Sequence, residues 1–218
     1  MKHLVITRLA IKWNHPKVKM SWQDWLNDSI NLMDTYCRPS LRKQTDQDFT
    51  LLSLVDPSVT YVGNKLPNEI IVPCGSMDRM DLINAVNGFI SGDWIILTRL
   101  DRDDCLRFDF LEKIKQYLRE DKEQYIDIKK MYSWDTRTDK VYDSPKYKTC
   151  ISPFVSVKER VNDGHIRCVP FAVNHAAICN VLPGKKVTDL LSIQVVHGTN
   201  VINRTMGPEC EIDKSEYL

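Results

Sequence analysis
The run Asp93-Trp-Ile-Ile-Leu-Thr-Arg-Leu100 passes without a break into Asp101-Arg-Asp-Asp104, and this junction constrains the chain more than any other stretch. An uninterrupted apolar run of that length reads as a strand buried in a sheet. Three carboxylates at its carboxyl end repel one another unless a cation offsets them. Hard divalent ions take oxygen ligands from one or two carboxylates and from phosphates. Ligands of α/β sheets bind beyond the carboxyl ends of the strands, so the junction predicts a metal and diphosphate site at one sheet edge. The competing reading is a polar turn in which Asp104 or Asp109 caps the next helix.

The flanking pattern supplies the sheet. His3 to Ile11, Phe49 to Val55 (FTLLSLV) and Asn68 to Val72 read as strands; Ser21 caps a helix carrying Trp22, Trp25, Leu26, Ile30 and Met33 on one face. Pro39 suits the start of a second helix through Thr45, Asp78 to Ser91 reads as a helix, and another runs from about Phe108 to Leu118. Such alternation predicts a mostly parallel sheet with helices on both faces. From Tyr125 the texture reads as antiparallel: Tyr125 to Trp134 and Lys140 to Tyr147 form a hairpin, with short segments at Ser152 to Arg160, His165 to Val169 and Ser192 to Val196. The expected organisation is one domain over 1–218: a first half to 105, a second half over 106–205, and a polar tail from 206 that frays.

Thirty basic against 29 acidic residues leave a net charge of +1, which excludes a global field toward nucleic acid or anionic lipid. The seven cysteines contain no C-x-x-C pair and read as reduced cytosolic thiols. The opening segment lacks the pattern of a signal peptide, and no window reaches the roughly 18 to 20 apolar residues of a membrane span. A cytoplasmic location is expected.

The stretch from Asn84 through Gly92-Asp93 and the apolar strand into Leu100-Asp-Arg-Asp-Asp104 resembles the GT-A glycosyltransferases, in which a strand leads into a D-x-D motif. Three strings, Pro39 to Leu52, Thr98 to Asp104, and Ile193 to Arg204 (IQVVHGTNVINR), resemble the rhamnosyltransferase group. The resemblance implies a GT-A fold (a Rossmann-like, mostly parallel sheet covered on both faces, with a small antiparallel C-terminal part) and transfer of a sugar from a nucleoside-diphosphate sugar to an acceptor hydroxyl. It also implies roles residue by residue. Asp103 is the leading metal ligand with Asp101 as partner, Asp104 assists or orients the loop, and His197 completes the sphere. An imidazole ligand favours Mn²⁺ over Mg²⁺. Thr7 and Arg8 match the place where base and diphosphate are held, Asp56 the acid that binds the base, and Arg99 and Arg79 further diphosphate contacts. Arg8 and Arg99 are equally readable as ion pairs to the aspartates, Asp56 as an Asp-Pro turn, and His175 as a buried histidine or a sugar contact.

An inverting transfer needs a carboxylate to take the acceptor proton. Asp189 is the first candidate, although Thr188-Asp-Leu190 lacks the Glu-Asp pair of many inverting relatives; Glu159 and Asp163 are the others. The expected donor is a UDP- or TDP-sugar and the expected acceptor a glycan or glycoprotein. A nucleic acid is also conceivable, given the basic and aromatic residues between Tyr132 and Lys148. Competing classes are a Mg²⁺-dependent nucleotidyl- or phosphoryl-transfer enzyme, against which the absence of a G-x-x-x-x-G-K-[ST] loop counts, and a non-catalytic metal-holding carbohydrate-binding domain.

Overall fold
The computed structural model describes residues 1–12, 20–144, 153–167, 170, 175–189, 191–199 and 207–218. Its first half alternates as the sequence predicts: β1 (Lys2–Ala10), a helical run, β2 (Thr50–Val55), β3 (Glu69–Pro73), α3 (Arg79–Asn87) and β4 (Trp94–Arg99). The helical run comprises α1 (Trp22–Leu32), a π-helical turn (Met33–Cys37) and α2 (Arg38–Arg42). Ser21 caps α1 by accepting from the Asp24 amide. Pro39 stands in the first positions of α2, as expected, but α2 ends at Arg42 rather than Thr45 and follows α1 without a break. The proline ring would crowd the carbonyl four residues back, and the wider π turn, closed by the Arg38 amide on Met33 O, carries the helix through it. Buried Arg38 then ties this run to β3 through Glu69 (2.9 and 2.7 Å) and to Asp34 (2.6 Å).

After β4 come β5 (Cys105–Leu106), α4 (Phe110–Tyr117), β6 (Gln124–Ile128), β7 (Met131–Asp135), β8 (Lys140–Ser144), β9 (Val155–Arg160), β10 (Gly184–Val187), β11 (Ser192–Val196) and β12 (Glu209–Cys210). The main sheet has the order β10-β6-β9-β4-β1-β2-β3, and β9 is its one antiparallel strand. Alternating residues set its two faces. Val5, Leu9, Leu51 and Ile96 pack under the first helical run and α4, while Leu4, Ile6, Leu52, Ile95 and Leu97 pack against α3. Each such side chain, taken fully from water, contributes about 1.5–3 kcal/mol. Helices therefore cover both faces, the layout the resemblance implied.

The second half is mixed rather than antiparallel. The expected strand from Tyr125 to Trp134 breaks at Lys129-Lys130 into β6, in the main sheet, and β7, in a second sheet of order β12-β8-β7-β11-β5. Both β10 on β6 and β11 on β7 are parallel pairs. Of the short segment expected at His165 to Val169, the described residues show a bridge between Asn162 and His165; Cys168 and Val169 lie outside the described residues. The C-terminal residues do not fray: β12 pairs with β8, Asp213 caps a 3-10 turn (Lys214–Glu216), and Tyr217 is buried against Cys105, Ile193 and Val195. One buried aromatic ring outweighs the polarity of its neighbours. Cys37, Cys74, Cys105 and Cys210 are free thiols; Cys150 and Cys168 lie outside the described residues. Among the described residues no helix is long and apolar enough to cross a membrane.

Candidate active site
The chain leaves β4 at the carboxyl edge of the sheet and turns at once, the Asp104 amide donating to Asp101 O (3.1 Å). It then enters β5, which pairs antiparallel with β11 through Cys105↔Ile193 and Leu106↔Ser192. This register runs β11 back past the aspartate turn, where the Val195 amide donates to Asp104 Oδ1 (3.1 Å). Two residues further on, His197 Nε2 lies 3.1 Å from Asp103 Oδ2. Residues 94 apart in sequence are thus brought together by one strand pairing and one buried carboxylate.

The three aspartates divide the work. Asp101 accepts from Arg8 Nη2 at 3.0 Å and from Arg99 Nη2 at 3.1 Å. Burial by itself would raise its pKa, but Arg99 and Arg8 outweigh it and hold the carboxyl well below the usual range. Asp104, 1% exposed, is pushed well above that range by burial and by the charges of Asp103 and Asp101. It braces β11. Asp103 is the aspartate that faces the imidazole.

Two guanidiniums thus meet at the Asp101 carboxylate. Burial and the neighbouring Arg99 lower the pKa of Arg8. Arg102 belongs to the same edge, its guanidinium 4.3 Å from the centroid of the buried Trp25 ring. Thr7, on β1, is fully buried, and its hydroxyl has no hydrogen-bond partner among the described residues. Asp56, following β2, is occupied by its own turn: Ser58 donates to it from amide and hydroxyl and Lys12 lies 3.6 Å away, contacts that together lower its pKa despite burial. The Asp-Pro turn reading is the one observed. Arg79 is exposed at the start of α3.

Strand direction separates the candidate bases. Antiparallel β9 pairs Glu159 with Ile95 and Arg160 with Trp94, at the amino end of β4. That places Glu159 about 20 Å from Asp101, at roughly 3.3 Å per residue. Its carboxylate accepts from the Arg167 amide at 2.9 Å. Asp163 sits beyond it, exposed at a turn tip with φ of 51°. Neither joins the site; the expectation for both fails because β9 runs against its neighbours. Asp189 follows β10, whose Val187 pairs with Ile128 at the carboxyl edge. It lies on the right edge, three strands from β4 or roughly 14 Å along the sheet. There Asp189 accepts from Tyr117 of α4 and lies 3.7 Å from Lys113 Nζ. Burial and this carboxylate raise the Tyr117 phenol to about 12. His175 opens a 3-10 turn (His175–Asn180), and its side chain lies outside the described residues.

Residues 15–209 match the family described as "Putative rhamnosyl transferase". The chain belongs to this family. The match runs across β2 to β11 and so takes in the aspartate turn, Asp189 and His197. No curated protein sequence matches the chain. Similar solved structures include residues 1–349 of S. aureus TarS with UDP-GlcNAc, at TM-score 0.49 and 13% identity, covering 92% of this chain and 60% of that one. The same fragment with UDP gives TM-score 0.42 and 11% identity over 90% and 61%. TarS itself gives 0.44 and 12% over 90% and 37%. The chain therefore spans about three fifths of the TarS fragments it resembles.

Several residues of this edge escaped sequence reasoning. Thr199 Oγ1 lies 2.8 Å from His197 Nδ1 and 2.8 Å from Asp28 Oδ2 on α1. Thr199 lay within the string that pointed to His197 and was readable as its neighbour. Asp28 and Trp25 carried no local signal, since an acidic and an aromatic residue on an amphipathic helix are ordinary.

The residues present fit a divalent cation in part. Among the described residues no group of three or more His, Cys, Asp or Glu side chains converges, and Asp103 and His197 are the two donors that meet there. Adjacent ligands around an octahedral ion with bonds of about 2.1 Å stand roughly 3 Å apart, which matches their 3.1 Å separation. Phosphate and water oxygens complete such a sphere in sites that bind the ion together with a nucleotide.

Proposed function
We propose that this edge transfers a sugar, with inversion, from a UDP- or TDP-sugar to a hydroxyl of a glycan or glycoprotein, and that the transfer depends on Mn²⁺ or Mg²⁺. The observation that carries the reading is the convergence of Asp103 and His197 beside the Arg8–Asp101–Arg99 cluster. Asp103 and His197 would hold the ion; bound there with the diphosphate, it neutralises charge that builds on the leaving oxygen. Arg8 and Arg99 give the departing diphosphate a positively charged wall. Asp101 is the internal counter-ion that keeps the two guanidiniums together when no phosphate is bound.

Asp189 is the proposed base. As the acceptor oxygen bonds to the anomeric carbon, the bond from that carbon to the diphosphate oxygen breaks and the acceptor proton passes to Asp189. Its place on the same edge, on the flank away from β1 and β2, suits an acceptor approaching from the side opposite the nucleotide. In the described part of the β7–β8 hairpin, Arg137 and Lys140 are paired with Asp135 and Glu209, and Trp134 and Tyr132 pack against Tyr36 and Tyr217; Lys146, Tyr147 and Lys148 lie outside the described residues.

Calorimetric titration of UDP and TDP into the protein tests the reading, with Mn²⁺, with EDTA, and with Asp103→Ala. Metal-dependent binding that disappears in the variant is expected. Binding of neither nucleotide in the presence of Mn²⁺ sinks the proposal, and binding unaffected by EDTA removes the cation from it.

A further inference from the structure
The aspartate turn carries a guanidinium that takes none of the turn's own carboxylates. Arg102 is the second residue of the turn closed by the Asp104 amide on Asp101 O, so three carboxylates stand within two residues of it in sequence. Among the described residues it nevertheless makes no hydrogen bond or ion pair, and its Nε is buried without a partner. What holds it is an aromatic face: its guanidinium carbon lies 4.3 Å from the ring centroid of Trp25, which is 6% exposed on α1. The Trp25 indole N–H is likewise buried with no partner among the described residues. Elsewhere in the molecule stacked cations are held differently. Of the four described cations that stand over a tryptophan, the other three also reach a carboxylate. Lys12 over Trp22 meets Asp56 at 3.6 Å, Lys158 over Trp94 meets Asp121 at 3.1 Å, and Lys214 over Trp134 meets Asp139. Arg102 has the stack without the acid, although acids are its nearest neighbours in the chain.

A guanidinium on an aromatic face still presents its in-plane N–H donors at its edge, and that planar fork matches the oxygens of a phosphate. Its surroundings place it beside the Arg8–Asp101–Arg99 cluster: burial and Arg99 lower the pKa of Arg8, and Arg102 adds to the fall. We propose that Arg102, held on the Trp25 ring, is a phosphate-binding residue of the donor site, offering its N–H edge to a phosphoryl group of the nucleoside diphosphate, and that Trp25 is the positioning residue that keeps it off the aspartates. The inference deepens the donor reading above and rests on it for the identity of the anion, though not for the stacked, acid-free guanidinium. It gives the second residue of Asp101-Arg-Asp-Asp104 a task separate from that of the three carboxylates. It also brings α1 into the donor site, as the element that supplies the shelf.

Calorimetric titration of UDP, TDP and their nucleosides into the whole chain with Mn²⁺, alongside thermal melts, decides it. Arg102→Gln removes both charge and fork and is expected to weaken the diphosphate by about 10- to 100-fold, the scale of one or two charge-assisted hydrogen bonds, and to leave any nucleoside binding unchanged. Arg102→Lys keeps the charge but not the fork and should fall between. Trp25→Leu removes the shelf and should weaken the diphosphate in the same direction; because Trp25 is buried, its affinity is read below that variant's own melting transition. Diphosphate affinity unchanged in Arg102→Gln overturns the proposal, and with a lowered melting midpoint it would make Arg102 a brace between the turn and α1. An equal loss of nucleoside affinity overturns it too. If wild type binds neither UDP nor TDP with Mn²⁺, the donor reading falls by itself, and inorganic pyrophosphate titrated in EDTA decides this one. Binding that is lost in Arg102→Gln supports a phosphate site; binding absent from wild type, or retained in the variant, overturns it.

Discussion

The two edges of the main sheet hold buried charge in opposite ways. At the amino edge the buried charges of β9 are held by partners: Lys158, 1% exposed, donates to Glu120 O at 2.7 Å and Asp121 at 3.1 Å and lies 4.9 Å from the Trp94 ring centroid, and Glu159 accepts from the Arg167 amide. At the carboxyl edge like charges are left side by side. Arg8 and Arg99 both donate to Asp101, and burial with the charges of Asp103 and Asp101 pushes Asp104 well above its usual range. A fold gains nothing from the second arrangement. It persists because Asp104 and Asp101 have backbone and guanidinium partners that tolerate it, and it is the arrangement that a cation and a diphosphate would relieve.

The largest effect that would break this contrast is expected at Asp103. Asp103→Ala should lower turnover by about 10³-fold, the scale of removing a group that stabilises leaving-group charge. Its thermal midpoint should stay within about 2 °C of wild type, because the lost hydrogen bond to His197 is offset by relief of the repulsion on Asp104. Steady-state kinetics and calorimetry on the same preparation check both halves. A variant that unfolds would move Asp103 to the structural side of the comparison.

Lys158→Ala is the converse. The buried stem, the bond to Glu120 O and the contact with Trp94 are all lost, and a loss of about 3 kcal/mol is expected, read as a midpoint lower by roughly 6–12 °C. Nucleotide affinity measured below the transition should be unchanged. Changed affinity would show that the two edges are not independent.

Much of this contrast is legible in the amino-acid sequence. The strands of the first half are apolar runs bounded by polar turns, and a run such as DWIILTRL has no other stable place than a buried strand. The aspartates and His197 stand out because their residue types carry chemistry. What stays hidden is what depends on direction and register. An antiparallel texture does not say that VSVKER pairs with β4, so Glu159 and Asp163 look as available as Asp189 until that pairing sends them to the far edge. The division of labour within Asp101-Arg-Asp-Asp104 is hidden too, because Arg8 and the Val195 amide reach it from other strands. The break at Lys129-Lys130 is visible, and two adjacent charges in an otherwise buried run are its signal.

Asp189 sharpens the comparison from within the carboxyl edge. Asp189→Asn should lower kcat by about 10²-fold while nucleotide binding holds, the signature of a lost base some three strands from the nucleotide. It should also bring the Tyr117 phenol down from about 12, since part of that rise comes from the carboxylate it bonds. Ultraviolet titration of tyrosinate reads this second change. A kcat close to wild type would return the base to an unassigned group, whereas a shift in tyrosine titration without loss of turnover would make Asp189 a brace for α4.

The smallest expected effect belongs to His3, near the amino end of β1, where it pairs with Ile96. His3 Nε2 meets Thr98 Oγ1 at 2.8 Å, and Thr98 in turn meets Ser156 at 2.7 Å. Full burial, with a smaller contribution from Lys115, lowers its pKa to about 3. The unfolded chain, with an imidazole near 6.5, therefore takes up a proton in a window where the folded protein does not. The neutral ring carries no penalty above about pH 6.5; as pH falls from there toward 3, the unfolded state is favoured progressively, by about 2 kcal/mol at pH 5. His3→Gln keeps a polar partner for Thr98 and has no proton to gain, so its stability should fall less steeply over that interval by about the same amount. Urea denaturation at pH 7 and at pH 5 measures the difference. Parallel slopes for the two proteins would mean that water reaches His3, and that the amino edge is less completely closed than its hydrogen bonds indicate.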